Sequence, residues 1–148
     1  MKNYAIGVIS LFMMMFALLS ITRVEGVEPE LLKKYVADSQ AATNSWLALV
    51  DQGKYGESWD AASKTMQWTI KRDEWIKNLD GVRKPLGAVK SREILDVRTA
   101  TNPQGLPQGE YMIFVYNTSF ANKDKAYELV TLIQENDGSW RVLTYQVT

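Results

Sequence analysis

The chain reads as an α+β domain, with three helices followed by a four-stranded antiparallel sheet, behind an N-terminal export signal. Two patterns predict the domain. Apolar residues recur at three- and four-residue steps up to Lys84, then at two-residue steps from Ala88 to Val147. Helical and strand segments are segregated along the chain, which is the mark of α+β layering. A third observation predicts the signal. Lys2 precedes an apolar stretch from Ala5 to Leu19, broken only by Gly7 and Ser10, and Val24 and Gly26 stand where a signal peptidase accepts small residues.

The apolar run falls short of the ~20 residues a membrane span needs. Residues 1–26 are therefore expected to be a cleaved signal peptide, leaving 27–148 as one domain in the periplasm or outside the cell with no stable membrane anchor. With no Cys in the chain, a lipid-anchored lipoprotein is excluded. Residues 1–26 take Lys2, Arg23 and Glu25 from the 17 basic and 17 acidic residues, so the remaining 122 carry a net charge of −1. That length supports a real core. That charge attracts neither nucleic acid nor an anionic membrane.

The first helix is expected over 27–52. Pro29 suits a first turn, and Leu31, Leu32, Tyr35, Val36, Ser39, Ala42, Thr43, Trp46, Leu49 and Val50 form its stripe. Gly53 is its natural stop. The second helix runs over Tyr55–Gln67 with Tyr55, Trp59, Ala62 and Met66 inward. The third covers Lys71–Lys84 with Thr69 as its cap and Trp75, Ile76, Leu79 and Val82 inward. Asp73 and Glu74 complement its dipole, and Pro85 and Gly87 end it.

The first strand, Ala88–Thr99, is highly charged and belongs at an edge. Thr101–Gly109 holds two Pro and two Gly and is a loop. Strands follow at Glu110–Phe120, Lys125–Glu135 and Ser139–Val147, joined by turns at 122–124 and 136–138. These turns place Ser119 opposite Glu128, Val115 opposite Leu132, Leu132 opposite Leu143 and Val130 opposite Tyr145. One face then holds Ile113, Val115, Asn117, Ser119, Glu128, Val130, Leu132, Leu143, Tyr145 and Val147, and the other face is apolar too. A bulge would move this register by one residue. Two apolar faces need two covers: helices on one, and a second subunit or strong curvature on the other. A homodimer through the sheet is expected on that ground.

Blocks in order resemble a known family. "WLALVDQGKYGESWDAA" (Trp46–Ala62) precedes "DEW" (Asp73–Trp75) and "VRKPLGAVKSRE" (Val82–Glu93). "LPQGEY" (Leu106–Tyr111), "NTSFANK" (Asn117–Lys123) and "DGSWRVLTY" (Asp137–Tyr145) follow. Over about residues 40–148 these are similar to a bacterial exported family, number 4019 among the domains of unknown function. The resemblance implies a nuclear transport factor 2-like, cystatin-like cone, in which helices cover a strongly curved sheet and often leave a pocket. Thr144 departs from the glycine usual at that point of the last block. The family implies a fold and no activity.

The absence of Cys and His excludes thiol nucleophiles, thiolate or imidazole metal sites and the Ser-His-Asp triad. No cofactor or metal is expected, since Asp51 alone is far short of an oxygen cage. Glu128 is the acid set within an apolar face. It reads either as a pocket carboxylate, a weak catalytic candidate, or as half of an ion pair with Arg92 or Arg141. The residues proposed for ligand contact are Trp46, Tyr55, Trp59, Arg92, Glu128 and Tyr145, although aromatics of this kind more often make core. Trp46, Trp59 and Trp75 are expected between helices and sheet.

Three functions fit. The first is a non-enzymatic binding module for a small apolar ligand or a partner protein. The second is an isomerase- or lyase-like enzyme using Glu128 and a Tyr in the cone. The third is a structural subunit of an envelope assembly.

Overall fold

The computed structural model describes residues 28–148. The signal peptide expected over 1–26 lies outside the described residues. Helices α1 (Pro29–Asp51), α2 (Tyr55–Asp60), α3 (Lys64–Thr69) and α4 (Arg72–Leu86) precede strands β1 (Val89–Thr101), β2 (Glu110–Phe120), β3 (Lys123–Gln134) and β4 (Trp140–Val147). The strands form one antiparallel sheet in sequence order. The α+β layout expected from the sequence is the one observed.

α1 starts at Pro29, where the missing N–H costs nothing. It ends in a Schellman turn: Gly53, at φ 73°, donates to the Val50 carbonyl, and Lys54 donates to the Leu49 carbonyl at 2.9 Å. Ser39, Thr43, Trp46, Leu47 and Val50 are its buried stripe. Leu31, at the start of the expected stripe, is instead exposed.

The expected second helix is two helices. Ser63 breaks it by capping α3, its hydroxyl accepting from the Met66 N–H at 3.1 Å. The Ser63 N–H meanwhile donates to the Val142 carbonyl at 2.8 Å, which tethers the break to β4. The apolar spacing survives the break, with Ala62 and Met66 in the core and Tyr55 and Trp59 packed against it.

In α4, Pro85 lies inside the last turn, and the helix stops at Gly87, φ 75°. Thr69 does not cap it: Thr69 is the last residue of α3, bonded to the Thr65 carbonyl. Val82, expected inward, is exposed, and Arg83 is buried in its stead beside Trp75 and Leu79.

The sheet corrects the expected register between β2 and β3. Tyr116, not Ser119, stands opposite Glu128, and Leu129, not Leu132, opposite Val115. The connection is tighter than expected, with Phe120 already paired to Lys123, and an irregularity near Ser119 takes back one residue of that offset. The net three-residue slip is odd, so it exchanges the faces. Between β3 and β4, Val130 faces Tyr145 as expected, while a bulge turns Leu132 to Val142 instead of Leu143.

One core results. Met112, Phe114, Tyr116, Val130, Leu132, Trp140, Val142 and Tyr145 of the sheet pack with Trp46, Leu47, Val50, Met66, Trp75 and Leu79 of the helices. Trp46 and Trp75 are buried between the layers as expected, and both indole N–H groups end on Ser58, at its carbonyl (2.8 Å) and its hydroxyl (3.0 Å). A smaller cluster of Tyr111, Ile133 and Leu143 is packed by Ala100 and by Leu106 of the β1–β2 loop. The chain thereby covers with its own loop part of the area for which a second subunit was expected.

Candidate functional site

Four charges meet where the end of α1, the end of α4 and the sheet converge. Glu128 is fully buried, and Arg83 is nearly so. Glu128 Oε2 accepts from Arg92 Nε at 2.5 Å and from the Thr118 hydroxyl at 2.6 Å. Its Oε1 accepts from the Tyr145 hydroxyl at 2.5 Å, Arg92 Nη2 at 3.1 Å and Arg83 Nη1 at 3.4 Å. Asp51, at the wetter edge, takes Arg83 Nη2 at 2.8 Å and both Arg92 Nη atoms at 2.7 and 2.9 Å.

The cluster is two guanidiniums against two carboxylates, so its formal charge is zero. This is what allows burial, because an unpaired buried ion costs several kcal/mol, about 3–5 when one partner is removed. The Arg83 guanidinium also lies over the Phe120 ring, 4.9 Å from its centroid. Burial alone would raise the Asp51 pKa, but hydrogen bonds and charge from Arg92 and Arg83 outweigh it and hold Asp51 below the usual carboxylate range. Burial opposes charge on Arg92 as well, and the Asp51 and Glu128 carboxylates overcome it and raise its pKa. Burial raises the Tyr145 phenol, and the Glu128 charge raises it further. Tyr116, opposite Glu128, is pushed up to about 12, mostly by burial. Its hydroxyl and Arg83 Nε have no hydrogen-bond partner among the described residues.

Five donors converge on one carboxylate that has about four lone-pair directions. Glu128 has no lone pair left for a substrate proton and no surface through which a substrate reaches it. The arrangement is suited to locking α1, α4 and the sheet together.

A cleft of about 200 Å³ lies elsewhere along α1. Its walls are Ala42, Ser45, Trp46 and Leu49 of α1, Ala61 of the α2–α3 link, and Trp140, Arg141 and Val142 of β4. They are mostly apolar, with Arg141 the one charged side chain among them. Trp140 is held edge-on to Tyr35, with centroids 5.3 Å apart.

The residues proposed for ligand contact thus separate. Arg92, Glu128 and Tyr145 meet in the charge cluster. Trp46 touches Tyr145 edge-on at 5.4 Å and also lines the cleft. Trp59 donates to the Ile70 carbonyl at 2.9 Å and is a packing residue. Tyr55 packs on the core, and burial raises its phenol pKa. Arg141, weighed as a partner of Glu128, does not reach it, because it stands opposite Ile133 at the far end of β3.

Sequence reasoning missed Asp51 and Arg83 as members of the cluster, and the β4 wall of the cleft. A signal existed for the first two: Arg83 is four residues beyond Leu79 and Asp51 four beyond Leu47, so each continues a buried helical stripe. Among the described residues, no group of three or more acidic side chains is placed to hold a metal ion.

Helices layered on one face of an antiparallel four-stranded meander, closed by a neutral buried ion cluster, define an α+β helix-on-sheet domain. The chain belongs to the family described as "Protein of unknown function (DUF4019)", whose model matches residues 42–145. It is similar in fold to a solved 2.5 Å structure from Catenulispora acidiphila, with a TM-score of 0.53 and 13% identity, over 79% of this chain and 92% of that one. No curated protein matches it.

Proposed function

We propose that this domain is a non-enzymatic binding module, and that the cleft between α1 and β4 takes one apolar side chain of a partner protein. The observation that carries the reading is the cleft's size and lining. About 200 Å³ is below the ~300–1,000 Å³ of pockets that enclose a whole ligand. It suits a single anchor side chain of the kind that dominates protein interfaces. The saturation of Glu128 supports a structural role for that carboxylate over the isomerase- or lyase-like alternative.

The composition of residues 1–26 supports export, and with it a partner in the periplasm, in the envelope or outside the cell. Among the described residues, no helix is long and apolar enough to cross a membrane. A homodimer, or a place as a subunit of an envelope assembly, is compatible with this reading. The Ile94 and Leu95 side chains exposed on β1 and Tyr127 on β3 leave apolar sheet surface for such contacts.

Backbone NMR of the purified protein titrated with N-acetyl-leucinamide tests the cleft. Shifts confined to Ala42, Ser45, Ala61, Val142 and the Trp46 and Trp140 indoles are expected, with millimolar affinity. No shifts at those residues would refute the reading. N-terminal sequencing of protein from fractionated cells tests export: a start near residue 27 in the periplasmic or extracellular fraction is expected, and an intact Met1 in the cytoplasm contradicts it.

A further inference from the structure

Arg141 differs from the other arginines of the described chain. Arg72 pairs with Asp60, Arg83 with Asp51 and Glu128, Arg92 with the same two, and Arg98 with Asp96. Arg141 pairs with no carboxylate among the described residues. Its one hydrogen bond runs from Nη1 to the Ala61 carbonyl at 3.3 Å. Ala61 also lines the cleft, so this bond holds the guanidinium against the cleft wall.

A guanidinium has five N–H donors in a planar fork matched to a carboxylate. The acid nearest in charge is Asp137, which feels Arg141 but is engaged by the Ser139 N–H at 2.9 Å and the Ser139 hydroxyl at 2.6 Å. Glu135, on the same hairpin, accepts the Lys64 N–H at 2.9 Å. Both Ser139 bonds fall on Asp137 Oδ1 and the Lys64 bond falls on Glu135 Oε1. Neither acid turns to pair with Arg141, and its fork is presented at the edge of an apolar cleft.

We infer that the cleft recognises the C-terminal residue of a partner chain, an apolar side chain filling the space between Trp46 and Trp140 while its terminal carboxylate pairs with Arg141. This rests on the binding-module reading above and narrows it. The cleft volume fits one side chain and the wall offers one cation, and within a partner protein a C-terminal apolar residue is the smallest unit that supplies both complements. An internal apolar residue followed by Glu would reach Arg141 only through a second, flexible side chain, whose rotamer freedom must be given up to hold the pair.

Three peptides of four residues separate the possibilities: one ending in Leu with a free carboxylate, the same peptide amidated, and an amidated peptide with an internal Leu-Glu pair. NMR titration of the full protein gives each affinity. The free acid is expected to bind about tenfold more tightly than its amide, as a charge-assisted bidentate pair allows. That preference should vanish in Arg141→Gln and shrink in ~0.5 M salt. Arg141 is exposed, so the variant should fold, and an unchanged melting temperature checks this. Equal binding of acid and amide overturns the carboxylate reading while the cleft reading stands. Equal binding of the Leu-Glu peptide overturns the C-terminal assignment. Binding by none of the three overturns both readings.

Discussion

The buried ion cluster and the cleft both lean on α1, and both are built around arginine, yet they do opposite things with it. In the cluster, Arg83 and Arg92 meet Asp51 and Glu128 at 2.5–3.4 Å, and the charges cancel within the fold. In the cleft, Arg141 is exposed and meets a single carbonyl. A polar cluster whose carboxylates are filled by its own donors is a fastening. A donor set left open beside apolar walls is a recognition surface. Counting partners separates the two where residue type does not.

The largest expected effect comes from unbalancing the cluster. Glu128→Gln keeps the shape but leaves Arg83 and Arg92 with Asp51 alone. A loss of about 3–5 kcal/mol is expected, the cost of breaking a buried pair. Chemical denaturation of the wild type and the variant measures it. Adding Arg83→Met should recover part of the loss, because the remaining charges balance again. A loss under about 1 kcal/mol for Glu128→Gln would put the cluster in the same class as a surface pair and remove the contrast with the cleft.

The pH dependence comes next. The folded pKa of Asp51 lies below its unfolded value, so its contribution is full above about pH 4 and is lost as pH falls through the folded value. Tyr116 and Tyr145 are raised, so their contributions are full below about pH 10 and are lost as pH climbs through the folded values. With no histidine in the chain, stability should be nearly flat between about pH 5 and 9. Thermal melts across that range check this, and a steep slope near pH 6–7 would contradict it. Asp51→Asn should flatten part of the acid limb.

How far these regions could be read from sequence depends on whether local or tertiary forces decide. Gly53 was legible as a stop because a Schellman turn needs a positive φ that glycine supplies without strain. The Val130–Tyr145 pairing was legible because the hairpin through Asp137 and Gly138 is short. The β2–β3 register was not, because its turn is held from outside. The Ala121 N–H donates to the Ala88 carbonyl at 2.8 Å and the Asn122 N–H to the Leu86 carbonyl at 2.9 Å. Those bonds to the α4–β1 junction draw the turn tighter than composition implies. Arg83 was missed for a similar reason: Val82 is the better apolar residue, but carboxylates brought from α1 and β3 make the neighbouring arginine the one that is buried. Arg92 was legible as a partner of Glu128. The cleft was not legible, since a concavity depends on how α1 seats against β4.

A smaller effect tests the link between the two regions. Ser63 caps α3 and ties the α2–α3 segment to β4, beside the Ala61 wall of the cleft. Ser63→Ala should cost about 1 kcal/mol through the lost cap, since the tie to Val142 uses the backbone N–H and survives. Hydrogen exchange should quicken at Met66, whose N–H loses its acceptor, and stay unchanged at Glu128. Faster exchange at Glu128 would show that the cluster and the cleft wall open together.

The smallest expected effect belongs to Arg141. If its guanidinium is held out for a partner, the unbound fold gains little from it. Its one bond is long and exposed, and such surface groups contribute within about 0.5 kcal/mol. Arg141→Gln should therefore leave the denaturation midpoint of the unbound protein almost unmoved, whereas Arg83→Gln, which leaves the buried Glu128 and the part-exposed Asp51 to share Arg92 alone, should lower it sharply. The same chemical change at two arginines, about 3–5 kcal/mol at one and near zero at the other, is the quantitative form of the contrast between a fastening and a recognition surface. Were Arg141→Gln to cost as much as Arg83→Gln, the guanidinium would be holding the fold together, and the cleft would lose the charge that sets it apart from ordinary apolar surface.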